Sequence, residues 1–176
     1  MKNINFPLIS TFVGDEVGNA LGISTCEFDK CLLKHFSKLY FAEEFTFTYS
    51  DSFNKFTLTP CLYFNALVRG KKVARIIVVP QVRYLNLDES IELINEIVNL
   101  IDRANWREVV GNYMPPQLLK PFFSKYTNSK TDIKSWETNN ELLILTIERI
   151  WSDGEIFSLI YKSNSLFLLK LGIYQK

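Results

Sequence analysis

The stretch Leu85–Trp106, LNLDESIELINEIVNLIDRANW, separates two strand-rich blocks of the chain. Ile91, Ile94, Ile97, Val98 and Ile101 recur at spacings of three and four, the repeat of one helical face. Glu92, Glu96, Asn99 and Asp102 fall largely on the opposite side. Asn86 with Glu89 three residues on resembles a capping box, in which each residue's side chain accepts from the other's main-chain amide. Asn105 suits the left-handed position that ends many helices, and Trp106 would then fold back onto a sheet. The pattern predicts a helix over about 87–104, laid across one face of a sheet.

Before that helix the period changes twice. CEFDKCLLKHFSKLYF places Phe28, Leu32, His35, Phe36 and Leu39 at helical spacing, with Glu27 and Asp29 at the positive dipole end. An N-terminal helix over about 26–41 is therefore expected, preceded by an arm packed on the domain. From Phe45 the alternation of Phe45, Phe47 and Tyr49 with small hydroxyl residues predicts a half-buried strand. Lys55–Val68 reads as a second strand, with a bulge or edge break at Pro60. Val73–Val79 reads as a third, joined to it by the turn Arg69-Gly70-Lys71-Lys72. After the central helix, Gly111–Tyr126 holds Pro115, Pro116 and Pro121 and reads as a loop with at most a short helix. Strands are expected at about 132–136, 142–151, 156–162 and 166–174, separated by turn residues such as Asn139-Asn140 and Ser152-Asp153-Gly154. The expected fold is one α+β domain over residues 1–176, with a largely antiparallel sheet.

Composition narrows the functional classes. Across 176 residues the chain is 47% hydrophobic, with 14 Phe, 8 Tyr and 3 Trp, enough for a sizeable core. Twenty basic against 19 acidic residues give a formal charge of +1. That balance lacks the basic excess by which proteins neutralise phosphates, so no nucleic-acid partner is expected. No stretch approaches the length of a membrane-spanning helix. MKNINFPLIS, broken at Pro7, does not read as a signal peptide, so a cytoplasmic site is expected, or a periplasmic one if a leader precedes Met1.

Reactive side chains are few. Cys26, Cys31 and Cys61 form neither a disulfide framework nor a CxxC pair. On a helix, Cys26, Cys31 and His35 would lie about 140° and then about 40° apart, which does not converge on one ion. Buried thiols beside a core-edge histidine are the ordinary reading, and no metal or cofactor is expected. A Cys31–His35 pair four residues apart could in principle be nucleophile and base. It would sit in mid-helix, however, where exposed nucleophiles are uncommon. VARIIVVPQVRY could suggest the strand of an acetyltransferase, but Gln81–Asp88 contains no glycine to cradle a pyrophosphate. Glu43-Glu44 and Asp88-Glu89 read as solvated or dipole-facing carboxylates. No enzyme activity is expected.

Two charged surfaces remain, the basic turn Arg69, Lys71 and Lys72 and the acidic helix face with Glu92 and Glu96. Each reads as solvated surface, or as a docking surface for a charged partner.

Leu87, Glu89 and Ser90 with the Asn105-Trp106 ending resemble the helix of bacterial immunity proteins of type VI secretion and related contact-dependent effectors, where Leu-x-x-Glu-Ala and Gly-Trp often occur. Serine stands here for alanine and asparagine for glycine, and one residue rather than two separates Leu87 from Glu89. Ile150-Trp151-Ser152-Asp153-Gly154 is similar to the tryptophan turn that often follows. The resemblance implies a protein that neutralises a cognate toxin by stoichiometric binding, as a monomer or small homo-oligomer. Its partner-binding residues would include Arg69, Lys71, Lys72, Glu92, Glu96, Trp151 and Asp153, with Trp136, Trp151 and Tyr161 as aromatic anchors if exposed. A secretion chaperone and a small-ligand-binding helix-over-sheet protein are the alternatives. The sequence pI near 7.6 counts against the chaperone, a class usually markedly acidic.

Overall fold

A computed structural model of the chain describes residues 6–17, 19, 29–33, 36–111, 114–125, 130–150 and 165–176, with the backbone alone for 29–33, 36–38 and 40. The architecture is α+β and dominated by antiparallel strands. A three-stranded sheet has the order β1-β4-β5, from Leu8–Ser10, Phe45–Ser50 and Lys55–Cys61. An eight-stranded sheet has the order β2-β3-β6-β7-β11-β10-β9-β8. Its strands are β2 Asp29–Leu33, β3 Phe36–Phe41, β6 Tyr63–Arg69, β7 Lys72–Val79, β8 Arg107–Glu108, β9 Lys130–Glu137, β10 Glu141–Ile150 and β11 Leu166–Gln175. Among the described residues only β1 and β4 pair in parallel.

The central helix, α1, runs from Leu87 to Asp102, and its start has the expected chemistry. Asn86 Oδ1 accepts from the Glu89 amide at 2.9 Å, and Glu89 Oε2 accepts from the Asn86 amide at 3.0 Å. Asn105 has φ of 60°, in the left-handed region that asparagine tolerates. Ile94, Ile97 and Ile101 are buried, each contributing about 1.5–3 kcal/mol by leaving water. The helix touches strands of both sheets, β11 and β5, and a second helix, α2. Trp106 is buried and meets Tyr49 of β4 edge to face, so the predicted return of the chain lands on the small sheet.

Two expectations are corrected. The N-terminal helix over 26–41 is not formed in its described part: residues 29–33 and 36–41 are a β-hairpin, with Leu33 opposite Phe36. Its second strand pairs with β6, placing Leu39 opposite Ala66, and both are buried. Short apolar runs satisfy helical and strand periods alike, and a distant partner strand decided this one. The predicted strand 55–68 is two strands in two sheets, β5 and β6, with the change of sheet at Leu62. Pro60 lies in the outer strand of the small sheet, after a cis peptide bond, where the β4–β5 register shifts. The proline-rich segment holds a short helix, α2, over Pro116–Lys125, which buries Leu119 and Phe123.

Strands expected at about 132–136, 142–151 and 166–174 are found as β9, β10 and β11, which lie side by side and antiparallel with β10 paired directly to β11, while the expected strand at 156–162 lies outside the described residues. β11 sits between β10 and β7, joining the two halves of the large sheet. Where its pairing with β7 stops, Gln81 continues it. The Gln81 Nε2 donates to the Phe167 carbonyl at 3.1 Å, and its Oε1 accepts from the Leu169 amide at 2.8 Å. The arm packs as expected, with Val73 donating to the Asp15 carbonyl at 2.9 Å and Val17 to the Lys71 carbonyl at 2.9 Å. One continuous cluster of buried side chains runs through both sheets and both helices. No helix among the described residues is long and apolar enough to cross a membrane.

Candidate functional site

A cleft of about 750 Å³ opens where the two sheets meet at Tyr49 and Glu141. The β4–β5 turn, the β9–β10 turn, the chain after α1 and the end of β11 form its walls. On one side Asp51 organises the β4–β5 turn. Its Oδ1 accepts from the main-chain amides of Phe53 and Asn54 at 2.7 and 2.6 Å, and its Oδ2 accepts from the Asn54 side chain at 3.1 Å. That turn holds Phe53 85% exposed at the lip.

On the other side Thr138 shapes the β9–β10 turn, its Oγ1 accepting from the amides of Asn140 and Glu141 at 3.3 and 3.1 Å. Glu141, the first residue of β10, is buried against Tyr49 of the opposite sheet. The Tyr49 hydroxyl lies 2.7 and 2.6 Å from the two Glu141 oxygens and 3.0 Å from Asp51 Oδ2. At the rim Glu137 is paired with both Arg107 and Lys176, the latter at 2.6 Å.

These environments shift the ionisations in opposite directions. Burial drives the Tyr49 hydroxyl far above its ordinary value, and the Glu141 and Asp51 carboxylates reinforce the effect. Burial likewise raises Glu141; the Tyr49 and Thr138 hydroxyls oppose this and the charge of Asp51 adds to it. Burial also pushes Asp51 up, but the Phe53 amide and both Asn54 donors outweigh it and hold the carboxyl low. At the rim, Lys176 and then Arg107 keep Glu137 low.

A second polar group joins α1 to the large sheet. Lys134, with its side chain 8% exposed, reaches Asp102 at 3.0 Å and Glu108 at 2.9 Å, and the Trp136 indole donates to Asp102 at 2.6 Å. Trp136 is completely buried, so it is corrected from candidate anchor to core residue. Cys61 is also buried, which pushes its thiol up to about 12 and leaves it unreactive.

The two charged surfaces are solvent-facing. Arg69, Lys71 and Lys72 are exposed around Gly70, whose φ is 65°, and Glu92 and Glu96 are exposed on α1. Neither set lines the cleft. Asp88 pairs with Lys120, and Glu89 with Arg83, so the carboxylates of the first helical turn serve local contacts. Trp151, Asp153, Tyr161, Cys26 and His35 lie outside the described residues, as does the side chain of Cys31. Sequence reasoning missed Tyr49, Asp51 and Glu141 as a group. One usable signal was a tyrosine on the buried face of Phe45-Phe47-Tyr49; another was a glutamate opening the apolar run ELLILTI.

No protein-family model, curated protein or solved structure matches this chain.

Proposed function

We propose that this protein is a binding module for another protein, an immunity-type factor that neutralises a cognate toxin by stoichiometric association. The supporting observation is Phe53, an aromatic side chain 85% exposed on a turn held by the Asp51 carboxylate. An aromatic anchor presented by an ordered turn loses little conformational entropy on docking. Beside it stand the charges of Arg107, Glu137 and Lys176, in the manner of a polar rim around an apolar contact. The basic turn of Arg69, Lys71 and Lys72, the acidic face of Glu92 and Glu96, and the residues Trp151 and Asp153 supply further docking contacts in this reading. With the helix across one face of the sheet, Glu92 and Glu96 would meet the partner as one outer surface. The toxin class rests on the resemblance of the 87–106 helix and the tryptophan turn to immunity proteins.

The cleft itself favours a second reading, a small-ligand-binding protein, since its volume lies in the range of ligand sites. Co-expression with the product of the adjacent gene separates the two. Rescue of growth together with a stoichiometric complex on gel filtration is expected. Neither rescue nor complex would overturn the immunity reading, and a co-purified small molecule in native mass spectra would favour the ligand reading.

A further inference from the structure

We infer that Tyr49, Asp51 and Glu141 form a proton-linked latch between the two sheets, closed by one proton held between the carboxylates and loosened when that proton leaves. The geometry sets up a shortage of donors. A phenol carries one proton and can donate it to one carboxylate at a time, yet the Tyr49 oxygen lies within hydrogen-bond distance of both Asp51 and Glu141. Asp51 has three other donors, two of them main-chain amides, and is the carboxylate equipped to stay ionised. Glu141 is 7% exposed and its side chain is served by hydroxyls.

No cation pairs with Glu141 among the described residues. The cleft's two cations, Arg107 from β8 and Lys176 from the end of β11, both pair with Glu137. The remaining cleft groups near the start of β10 are neutral: Thr138, Asn139 and Asn140 in the turn before it, Gln175 on β11, and Asn105 after α1. The β4 side contributes Tyr49, the anionic Asp51 and the neutral Ser52 and Asn54. Two carboxylates around one phenol with no cation favour retention of a proton, and the retained proton belongs to the group as a whole. Its loss places a second negative charge against Asp51 where β4 meets β10, and water must enter to solvate it.

The sign follows from linkage. Glu141 binds its proton more tightly in the folded state than in the unfolded chain. Stability is therefore highest below the unfolded glutamate value and falls as pH rises through the folded one. Asp51 acts oppositely, its contribution disappearing only in strong acid.

Carboxyl-carbon NMR titration of the full chain, with urea unfolding of Glu141→Gln across pH 4 to 9, tests the latch. Glu141 should titrate above ordinary glutamates, and its midpoint should fall in Asp51→Asn. The Gln variant should match the wild type near pH 4 and gain on it as pH rises, by up to about tenfold in the unfolding constant per pH unit within the window. Amide protection factors in β4 and β5 of the wild type, corrected for the intrinsic rise of exchange with pH, should fall over the same window. An ordinary Glu141 midpoint would overturn the proposal, as would a stability gap independent of pH. If Glu141→Gln does not fold, the wild-type titration and exchange decide alone.

Discussion

Asp102→Ala removes the acceptor that joins the end of α1 to β9. Trp136 is fully buried, and its indole N–H, donated to Asp102 at 2.6 Å, would lose that acceptor. Stranding a buried donor costs about 1–3 kcal/mol. Lys134, 8% exposed, would keep Glu108 and lose Asp102; with Asp102 itself 41% exposed, screening limits that loss to about 0.5–1 kcal/mol. Removing a negative charge from a helix C-terminus returns roughly 0.5 kcal/mol. The net expectation is a destabilisation of about 1–3.5 kcal/mol, at roughly 2–4 °C in Tm per kcal/mol for a chain of this size. Asp102→Asn keeps an acceptor and loses only the charge, so it should cost about 1 kcal/mol. Urea unfolding followed by tryptophan fluorescence measures both. Equal losses in the two variants, or a loss below about 0.5 kcal/mol in Asp102→Ala, would refute the claim that the indole hydrogen bond dominates.

Asn86→Ala should cost about 1 kcal/mol in the same assay, because the Glu89 amide loses its cap. Asn105→Ala should be destabilised by roughly 1 kcal/mol relative to Asn105→Gly, since only the alanine must be forced to φ 60°. Phe53→Ala should leave Tm within about 1 °C while weakening partner association at least tenfold by calorimetry, an exposed anchor being silent in folding. Arg69→Glu with Lys72→Glu should slow association and flatten its salt dependence in stopped-flow measurements if the basic turn docks; Glu92→Lys with Glu96→Lys should do so if the helix docks.

What could be read in advance was local. The helix announces itself because its cap at Asn86, its apolar repeat and its terminator at Asn105 all lie within one short segment. The Arg69–Lys72 turn and the strands β9, β10 and β11 were legible for the same reason. The hairpin of β2 and β3 was misread because its fate depends on β6, whose Ala66 faces Leu39 from far along the chain. The division of 55–69 between two sheets depends equally on strands outside it. The cleft was invisible for a stronger version of this reason. Tyr49 and Glu141 are 92 positions apart and belong to different sheets, so no spacing rule could join them. Phe53 looked like any turn phenylalanine until its exposure was known.

The position of β11 has a consequence for the order of assembly on the ribosome. The edge of β7 that carries Arg75 to Val78 is completed only by residues 171–174, synthesised about a hundred residues later. Throughout that interval the nascent β2-β3-β6-β7 half offers an apolar strand edge to any other chain, a period in which a chaperone able to mask strand edges would raise the yield of native protein. A shortened chain ending before Leu166 would keep that edge open permanently, and should aggregate through it.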